Sequence, residues 1–264
     1  MAFARVRHSF REARQPRVVT VVPRRFQPAE WSTPVNALII LAGGSGSRAG
    51  RSENKVYAPV NGRPVLWYPL NAAANFGEAV RVVLVIRPQD EHLASALAAE
   101  FPHLQPRLVH GGQTRSASER AGIEAVVDDV AGEGLVGIHD GARPFLTVGL
   151  WQSCAVAAAA RGGAVPVLEA GSLYRLEQGA FSPLPTAFKA QTPQVFNAQA
   201  LLASFRKSVE PAPDTAETVM RHGRLDIAAV PGDGRNIKVT FPADLDRASQ
   251  LAEVWRAGRW LSPV

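Results

Sequence analysis

Residues 37–50 read ALIILAGGSGSRAG, and this stretch decides the fold. Its first six residues form a continuous apolar run, which is typical of a buried parallel strand. The run breaks at Gly43-Gly44, so we expect the strand to end in a glycine loop, defined here as residues 42–50. Glycines let a backbone turn sharply and approach a ligand, and the exposed N–H groups of such a loop bind phosphate oxygens. The alternative is a plain strand-to-helix turn, which does not need this many glycines.

Apolar strands and helical segments alternate beyond the glycine loop. We predict strands at 82–86, 107–109, 135–139 and 164–167, and helices at 64–76, 90–101, 115–127 and 148–160. Because parallel strands joined by helices of this length use right-handed crossovers, the pattern predicts an α/β fold. Its sheet is doubly wound and mostly parallel, with helices on both faces. Residues 171–193 interrupt the alternation with a predicted antiparallel hairpin, which is typical of an arm that packs on a partner subunit.

Composition and cysteine content exclude several protein classes. The 264 residues are 46% hydrophobic and 20% charged, which is typical of a globular protein rather than a disordered one. No apolar run approaches the ~20 residues that span a bilayer, so no membrane segment is expected. The single cysteine, Cys154, excludes an intramolecular disulfide and a Cys-rich zinc site. We therefore expect a cytoplasmic protein.

The positive charge is concentrated at the amino terminus. Residues 1–33 hold seven arginines against Glu12 and Glu30, so this segment carries +5 of the chain's net charge of +6. The remaining chain is nearly neutral and its tryptophans do not alternate with basic residues, so no nucleic-acid partner is expected. We interpret residues 1–33 as a flexible, dispensable extension and residues 34–264 as the functional domain. A targeting segment or a nucleic-acid arm is the alternative, although the segment has few serines and no clear amphipathic repeat.

Two nucleotide-binding interpretations fit the glycine loop. Its glycine spacing matches the dinucleotide fingerprint, which also requires an acidic residue at the end of the second strand. That strand ends at Arg87 instead. Arg48 and Lys55 place two cations beside the loop, and this suits a triphosphate whose leaving group gains charge. A nucleotidyltransferase is therefore favoured over a dehydrogenase.

The strand predicted at 135–139 ends with His139, and Asp140 follows it directly. A carboxylate at the carboxyl end of a buried strand is a hard oxygen ligand, placed where Mg²⁺ would bridge triphosphate oxygens. Capping of the next turn is the alternative role for Asp140. We interpret His139 as structural.

Five motifs in one order carry a family resemblance. They are Gly44-Ser-Gly46-Ser-Arg48 with Lys55, Gly111-Gly112-x-x-Arg115-Ser116-x-Ser118, His139-Asp140-Gly141-Ala142-Arg143-Pro144, Ala190-Gln191-Thr192-Pro193-Gln194 and Asn236-Ile237-Lys238-Val239-Thr240. With them the chain resembles the 2-C-methyl-D-erythritol 4-phosphate cytidylyltransferases of isoprenoid biosynthesis from about residue 36 to 255. The ribitol 5-phosphate cytidylyltransferases share the nucleotide-handling motifs. The resemblance implies a Rossmann-like sheet of the nucleotide-diphosphosugar transferase type and a homodimer joined through a β-hairpin arm.

The resemblance also implies residue roles, with CTP as substrate and Mg²⁺ as cofactor. The implied catalytic residues are Arg48, Lys55 and Lys238. The implied nucleotide-binding residues are Ala42, Gly43, Gly44, Ser45, Gly46, Gly112, Ser118 and Asp140, of which Asp140 also binds the metal. The implied acceptor-binding residues are Arg143, Ser172 and Thr192.

The chain departs from the family pattern mainly where the acceptor is expected to bind. Lys55 is flanked by Asn54 and Val56, where the family usually has Pro and Gln. The arm reads Gly171-Ser-Leu-Tyr174 in place of Asp-Thr-x-Lys, and Leu184 stands where an arginine of the neighbouring subunit holds the acceptor phosphate. We expect cytidylyl transfer to 2-C-methyl-D-erythritol 4-phosphate. The alternatives are another polyol phosphate such as ribitol 5-phosphate, or a catalytically weak CTP-binding paralogue.

Overall fold

A computed structural model describes most of the chain from Asn36 onward. The described ranges are 36–44, 54–77, 80–130, 134–177, 180–183, 187–208, 212, 214–223 and 225–261. The strands within them are β1 (Asn36–Leu41), β2 (Pro59–Val60), β3 (Arg63–Pro64), β4 (Val80–Ile86), β5 (Arg107–His110), β6 (Leu135–Asp140), β7 (Gly162–Glu169), β8 (Tyr174–Glu177), β9 (Ala180–Pro183), β10 (Phe188–Ala190), β11 (Gln194–Asn197), β12 (Asp226–Pro231), β13 (Trp255–Arg256) and β14 (Arg259–Trp260). The α-helices are α1 (Trp67–Ala73), α2 (Glu91–Ala99), α3 (Arg115–Val126), α4 (Val148–Arg161), α5 (Ala198–Lys207), α6 (Thr215–His222) and α7 (Pro242–Glu253).

The central sheet is mixed but mostly parallel. Its order is β10-β7-β11-β6-β1-β4-β5, and β12 pairs in parallel with β7 beside this path. β1 lies parallel to β4 and β6, and β5 lies parallel to β4. β11 is antiparallel to β6 and β7, and β10 is antiparallel to β7. The predicted α/β fold with a mostly parallel sheet is confirmed.

Helices cover both faces of this sheet, as a strand buried on both sides requires. Leu38 and Ile40 of β1 face a core that includes side chains of α1, α2, α4 and α7. Ala37 and Ile39 face the opposite core, which is built with α3, α5 and α6. Cys154 is buried in the first of these cores, where it acts as a small apolar side chain.

The predicted helix at 64–76 begins later than expected. Pro64 lies in the short strand β3, which pairs with β2 around a tight turn at Asn61 and Gly62. Both turn residues have positive φ, at 46° and 77°, and this tight reversal pairs Pro64 with Pro59 as extended chain. Helix α1 therefore starts only at Trp67. The predicted helix and strand segments between 82 and 167 agree with α2 to α4 and β4 to β7, apart from their ends.

The predicted hairpin is present as β8 and β9, which form a two-stranded sheet of their own. The arm is shorter than the predicted range 171–193, because Phe188–Ala190 returns to the central sheet as β10. The amino-terminal extension, Ser45 to Arg48 and Leu184 lie outside the described residues. Within the described part of the chain, no helix is long and apolar enough to cross a membrane.

Candidate active site

The carboxyl ends of β1, β4, β5 and β6 meet at one edge of the sheet. The register pairs Leu41 with Val85 on one side and with Asp140 on the other, and it pairs Ile86 with His110. The start of the glycine loop, the turn after β4, the pair Gly111-Gly112 and Asp140 therefore lie along the same edge. In open α/β sheets this edge is where ligands bind.

Three cationic side chains converge on Asp140, and together the four residues form the Asp140 cluster. Arg115 Nη1 donates to Asp140 Oδ1 at 2.6 Å. Lys238 Nζ lies 2.9 Å from Asp140 Oδ2, and Arg143 Nε donates to the same oxygen at 3.3 Å. The carboxylate is buried, so each of these contacts is a charge-assisted bond in a partly dry environment.

The charges of the Asp140 cluster keep its carboxylate ionised. Burial alone would raise the pKa of Asp140, but the charges of Arg115, Lys238 and Arg143 outweigh it and hold this pKa well below its ordinary value. With three cations around one carboxylate, the cluster carries excess positive charge. This arrangement suits an anionic ligand.

Arg115 is held from behind by a buried carboxylate. Glu119, one turn along α3, accepts from Arg115 Nε at 3.0 Å and from the Thr215 hydroxyl at 2.8 Å, both through Oε1. Burial raises the pKa of Glu119 against the opposing charge of Arg115. Arg115 is thus fixed between two carboxylates, whereas Lys238 is 39% exposed at the rim.

The segment that carries Lys238 is anchored by two side-chain amides. The Gln191 amide donates to the carbonyl groups of Asp233 and Asn236 at 2.9 and 3.2 Å. The Asn236 amide donates to the Thr192 carbonyl at 2.8 Å, and Arg143 Nη1 donates to the Asn236 carbonyl at 2.8 Å. Lys238 lies in irregular chain after β12, and the neighbouring Val239 N–H donates to the Ala142 carbonyl at 2.8 Å.

His139 is buried and links Asp140 to Thr192 and Arg143. The Thr192 hydroxyl accepts from the Asp140 N–H at 3.0 Å and lies 3.1 Å from His139 Nδ1, while His139 Nε2 lies 3.0 Å from the Arg143 carbonyl. A carbonyl can only accept, so Nε2 carries the proton and Nδ1 accepts from Thr192. Burial lowers the pKa of His139 to about 4, which keeps the ring neutral. This geometry supports the structural role predicted for His139.

Gly111 and Gly112 pack against the first turn of α3. A Cβ on Gly111 would lie 2.7 Å from Ser118 Oγ, and one on Gly112 would lie 2.5 Å from the Ala117 Cβ. The Ser118 hydroxyl is 3.3 Å from the Gly112 carbonyl. Only glycine permits this close approach. The structure therefore brings Gly112 and Ser118 together.

Most of the described chain is similar to known proteins. The profile of the family described as "IspD: 2-C-methyl-D-erythritol 4-phosphate cytidylyltransferase" matches residues 36–253. The chain belongs to this family. A Cereibacter sphaeroides protein named 2-C-methyl-D-erythritol 4-phosphate cytidylyltransferase is 39% identical over 221 residues, which cover 81% of this chain and 96% of the relative. A Bacteroides fragilis protein of the same name is 32% identical over 217 residues, which cover 81% and 97%.

Solved structures of the family share the fold of this cytidylyltransferase. The 4-diphosphocytidyl-2C-methyl-D-erythritol synthase of Anaerococcus prevotii is 25% identical and superposes with a TM-score of 0.73, over 83% of this chain and 98% of its own. The 2-C-methyl-D-erythritol 4-phosphate cytidylyltransferase of Thermus thermophilus is 30% identical with a TM-score of 0.62, over 82% and 98%. The predicted family, fold and nucleotidyltransferase class are confirmed. The chain is a CTP-dependent cytidylyltransferase of isoprenoid biosynthesis.

The predicted nucleotide half of the site is described only in part. Ala42, Gly43 and Gly44 follow β1 at the ligand-binding edge, and Lys55 begins a 3-10 helix, Lys55–Tyr57, that Asn54 caps. The predictions for Ser45, Gly46 and Arg48 fall outside the described residues. Lys238 and Asp140 are in direct contact, as described above.

The three residues predicted to bind the acceptor differ in their contacts with the Asp140 cluster. Arg143 lies in the Asp140 cluster, where it joins Asp140 to the Asn236 carbonyl. Thr192 is buried and its hydroxyl already contacts the Asp140 N–H and His139, so this arrangement does not favour a direct acceptor contact. Ser172 is exposed on the connection from β7 to β8, and among the described residues no hydrogen bond or ion pair links it to the cluster.

Sequence reasoning gave no role to Arg115, Glu119 or Gln191. Arg115 and Gln191 belong to two of the five family motifs, which mark them as candidate site residues. The spacing of residues within a motif does not show which side chains they contact. The contact between Glu119 and Arg115 could have been predicted, because a carboxylate four residues after an arginine lies on the same face of a helix.

Proposed function

We propose that this cytidylyltransferase transfers CMP from CTP to 2-C-methyl-D-erythritol 4-phosphate at the Asp140 cluster. The observation that carries the proposal is the convergence of Arg115, Arg143 and Lys238 on one buried carboxylate beside the glycine loop. Family membership supports the substrates, and the excess of cations supports a site for two phosphorylated molecules.

The reaction needs positioning and charge neutralisation rather than a general base. A phosphate oxygen of the acceptor attacks the α-phosphorus of CTP, and the bond from that phosphorus to the pyrophosphate oxygen breaks. The attacking oxygen is already an anion, so no proton has to be removed. Such a step is accelerated by cations aimed at the charge that develops on the leaving pyrophosphate.

Each predicted residue has a role in this scheme. Arg48 and Lys55 stabilise the triphosphate and the transition state, while Lys238 orients the attacking phosphate and the α-phosphate. Gly112 and Ser118 recognise the cytosine and ribose. Backbone N–H groups of the glycine loop, from Ala42 and Gly43 to Gly44, Ser45 and Gly46, contact phosphate oxygens.

Lys238 is poised to exchange partners when CTP binds. Its ammonium group contacts Asp140 at 2.9 Å while the side chain is 39% exposed, so it can turn to a phosphate without leaving a buried site. Arg115 is held by Glu119 as well and would remain on Asp140. Asp140 would thereby keep a counter-ion while Lys238 engages substrate.

We propose that Mg²⁺ arrives with the triphosphate rather than in a cage built by the protein. Among the described residues no group of three His, Cys, Asp or Glu side chains could hold a metal ion. Both oxygens of Asp140 contact the positively charged side chains of Arg115 and Lys238. As placed, Asp140 is therefore better suited to hold these side chains than to bind a metal ion. Bound to CTP, the ion would neutralise phosphate charge.

The acceptor side of the site rests on Arg143, Ser172 and Thr192. We propose that Arg143 reaches the acceptor phosphate from its place in the cluster and that Thr192 acts mainly by holding Asp140 and His139. Ser172 would contact the acceptor from the arm. Ribitol 5-phosphate is the competing acceptor, because the residues at 171, 174 and 184 depart from the family pattern.

A second copy of the chain is the proposed partner of the β8–β9 hairpin. Tyr174, Leu176 and Phe181 are 59%, 62% and 74% exposed, a concentration of apolar surface that a partner subunit would cover. Phe181→Ser should shift the protein from dimer to monomer in sedimentation. Met220→Ser, on the exposed face of α6, should not. A wild-type monomer at micromolar concentration would contradict the proposal.

Residues 34–264 are proposed as the catalytic domain, with residues 1–33 as a dispensable extension and a cytoplasmic location. The family match to residues 36–253 supports the domain assignment.

Lys238→Ala tests the assignment of the active site. It should lower the turnover number for pyrophosphate release from CTP by ~10²–10³-fold, as removal of one charge-stabilising group typically does. Lys207→Ala, at the exposed end of α5, is the matched control. Equal turnover in the two variants would remove Lys238 from the mechanism.

A further inference from the structure

The side-chain amide of Asn54 connects three separate segments beside the glycine loop. Asn54 is 2% exposed. Its Nδ2 donates to the Ala42 carbonyl at 2.6 Å and to Asp90 Oδ2 at 2.8 Å. Its Oδ1 accepts from the Val56 N–H at 3.4 Å and so caps the 3-10 helix that begins with Lys55. Both amide hydrogens and the amide oxygen are therefore in use.

Asp90 is itself fixed by an arginine. Arg87 donates from Nε to Asp90 Oδ2 and from Nη2 to Oδ1, both at 2.7 Å, which is the bidentate geometry that orients a carboxylate most strongly. Burial would raise the pKa of Asp90, but its bonds to Arg87 and Asn54 lower it, so the carboxylate stays charged. We call Asn54, Asp90 and Arg87 the Asn54 clamp.

The Asn54 clamp fixes the first peptide of the glycine loop. The Ala42 N–H donates to the Val85 carbonyl at 2.7 Å, and the Ala42 carbonyl is held by Asn54. Because a trans peptide directs its C=O and N–H groups in opposite directions, this turns the Gly43 N–H away from Asn54. The same amide holds the turn from which Lys55 projects.

We propose that Asn54 is a positioning residue for cytidylyl transfer, because its amide sets the orientation of the Ala42–Gly43 peptide and the start of the Lys55 helix together. The inference rests on the proposed roles of Lys55 and the glycine loop. Two groups that bind one triphosphate must keep a fixed separation, and a displacement of about 1 Å can cost ~10²-fold in rate. Asn54 supplies that fixed separation.

Two substitutions at Asn54 separate positioning from folding. Asn54→Asp has the same shape, but it places an oxygen against two acceptors, the Ala42 carbonyl and Asp90. Asn54→Ser keeps a side-chain cap for the 3-10 helix and removes the amide without adding charge. Asn75→Asp is the matched control, since the Asn75 amide also donates to a backbone carbonyl but lies exposed on the surface.

The readout is the turnover number and the KM for each substrate, measured where circular dichroism shows every variant folded. We expect Asn54→Asp to lower the turnover number by ~10²-fold and Asn54→Ser by ~10-fold, with the acceptor KM unchanged. Adding Asp90→Asn to Asn54→Asp should recover part of the loss, because the amide introduced at position 90 can donate to the carboxylate introduced at position 54. If Asn54→Asp does not fold, Asn54→Ser decides.

Folded Asn54 variants with wild-type turnover would overturn the inference. Lys55→Ala is measured beside them to separate two kinds of failure. An inactive Lys55→Ala with normal Asn54 variants would refute the positioning role alone. A fully active Lys55→Ala would refute the proposed catalytic role of Lys55, on which the positioning role rests.

Discussion

Asp140→Asn removes the charge on which three cations converge while leaving the side-chain shape unchanged. In the wild-type protein Oδ1 accepts from Arg115, and Oδ2 contacts Lys238 and Arg143. Whichever oxygen becomes an NH₂ group, it faces at least one cationic donor. The substitution therefore weakens the contacts that remain and makes one of them repulsive.

The expected loss can be worked out contact by contact. A hydrogen bond to a charged group contributes about 1.5–3 kcal/mol and a neutral one about 0.5–1.5, so each contact loses ~1 kcal/mol. Lys238 is 39% exposed and contributes less, because solvent screens its charge. Together with the repulsive contact, we expect Asp140→Asn to lower the free energy of unfolding by about 3 kcal/mol, near the cost of breaking a buried ion pair.

Urea unfolding at neutral pH measures this loss, and Asp226→Asn provides the control. Asp226 pairs with Arg161 at 2.7 Å, but the two side chains are 50% and 43% exposed. Such surface pairs contribute less than ~1 kcal/mol. Saturating CTP should narrow the gap between Asp140→Asn and wild type, because the triphosphate supplies the missing negative charge. A loss for Asp140→Asn no larger than that for Asp226→Asn would refute this account of the cluster.

Three further predictions concern the leaving group, a buried histidine and the amino terminus. Lys55→Ala, like Arg48→Ala, should lower turnover ~10²–10³-fold with a much smaller change in CTP affinity, and a parallel loss of affinity would instead assign a binding role. Burial lowers the pKa of His139 to about 4, against 6.5 when unfolded, so the unfolded state binds the extra proton and the free energy of unfolding decreases as the pH is lowered. Between pH 7 and 5 this loss should be about 2 kcal/mol in urea titrations and absent in His139→Gln; equal losses would contradict it. Deleting residues 1–33 should leave the melting temperature and activity unchanged, whereas a large drop would make the extension part of the fold.

The strands that build the ligand-binding edge could be predicted from the sequence because each one is a short apolar run. The strands β1, β4 and β6 are buried on both faces of the sheet. Such strands are continuous apolar runs, without the alternating polar residues of a half-exposed strand, and are therefore easy to recognise in the sequence. Asp140 could be placed for the same reason, since it directly follows such a run. β11 was not predicted, because Gln194–Asn197 is a four-residue strand that enters the sheet antiparallel to its neighbours.

The contacts within the site depend on tertiary structure and could not be predicted. Arg115 and Asp140 are 25 residues apart, and the bond between them depends on how α3 packs against β4 and β1. Asn54 was recognised only as a departure from the family pattern. Its proposed positioning role depends on Asp90, which lies 36 residues away in the 3-10 helix Pro88–Asp90 that follows β4.

The most direct test of the central claim is ³¹P NMR of the full-length protein with CTP, Mg²⁺ and 2-C-methyl-D-erythritol 4-phosphate. We expect pyrophosphate and a new CMP-linked diphosphate in equal amounts, with much slower turnover when ribitol 5-phosphate replaces the acceptor. Lys238→Ala should suppress both signals and Lys207→Ala neither. CTP turnover with ribitol 5-phosphate but not with 2-C-methyl-D-erythritol 4-phosphate would contradict the assigned acceptor. Unchanged product formation by Lys238→Ala would contradict the assigned site.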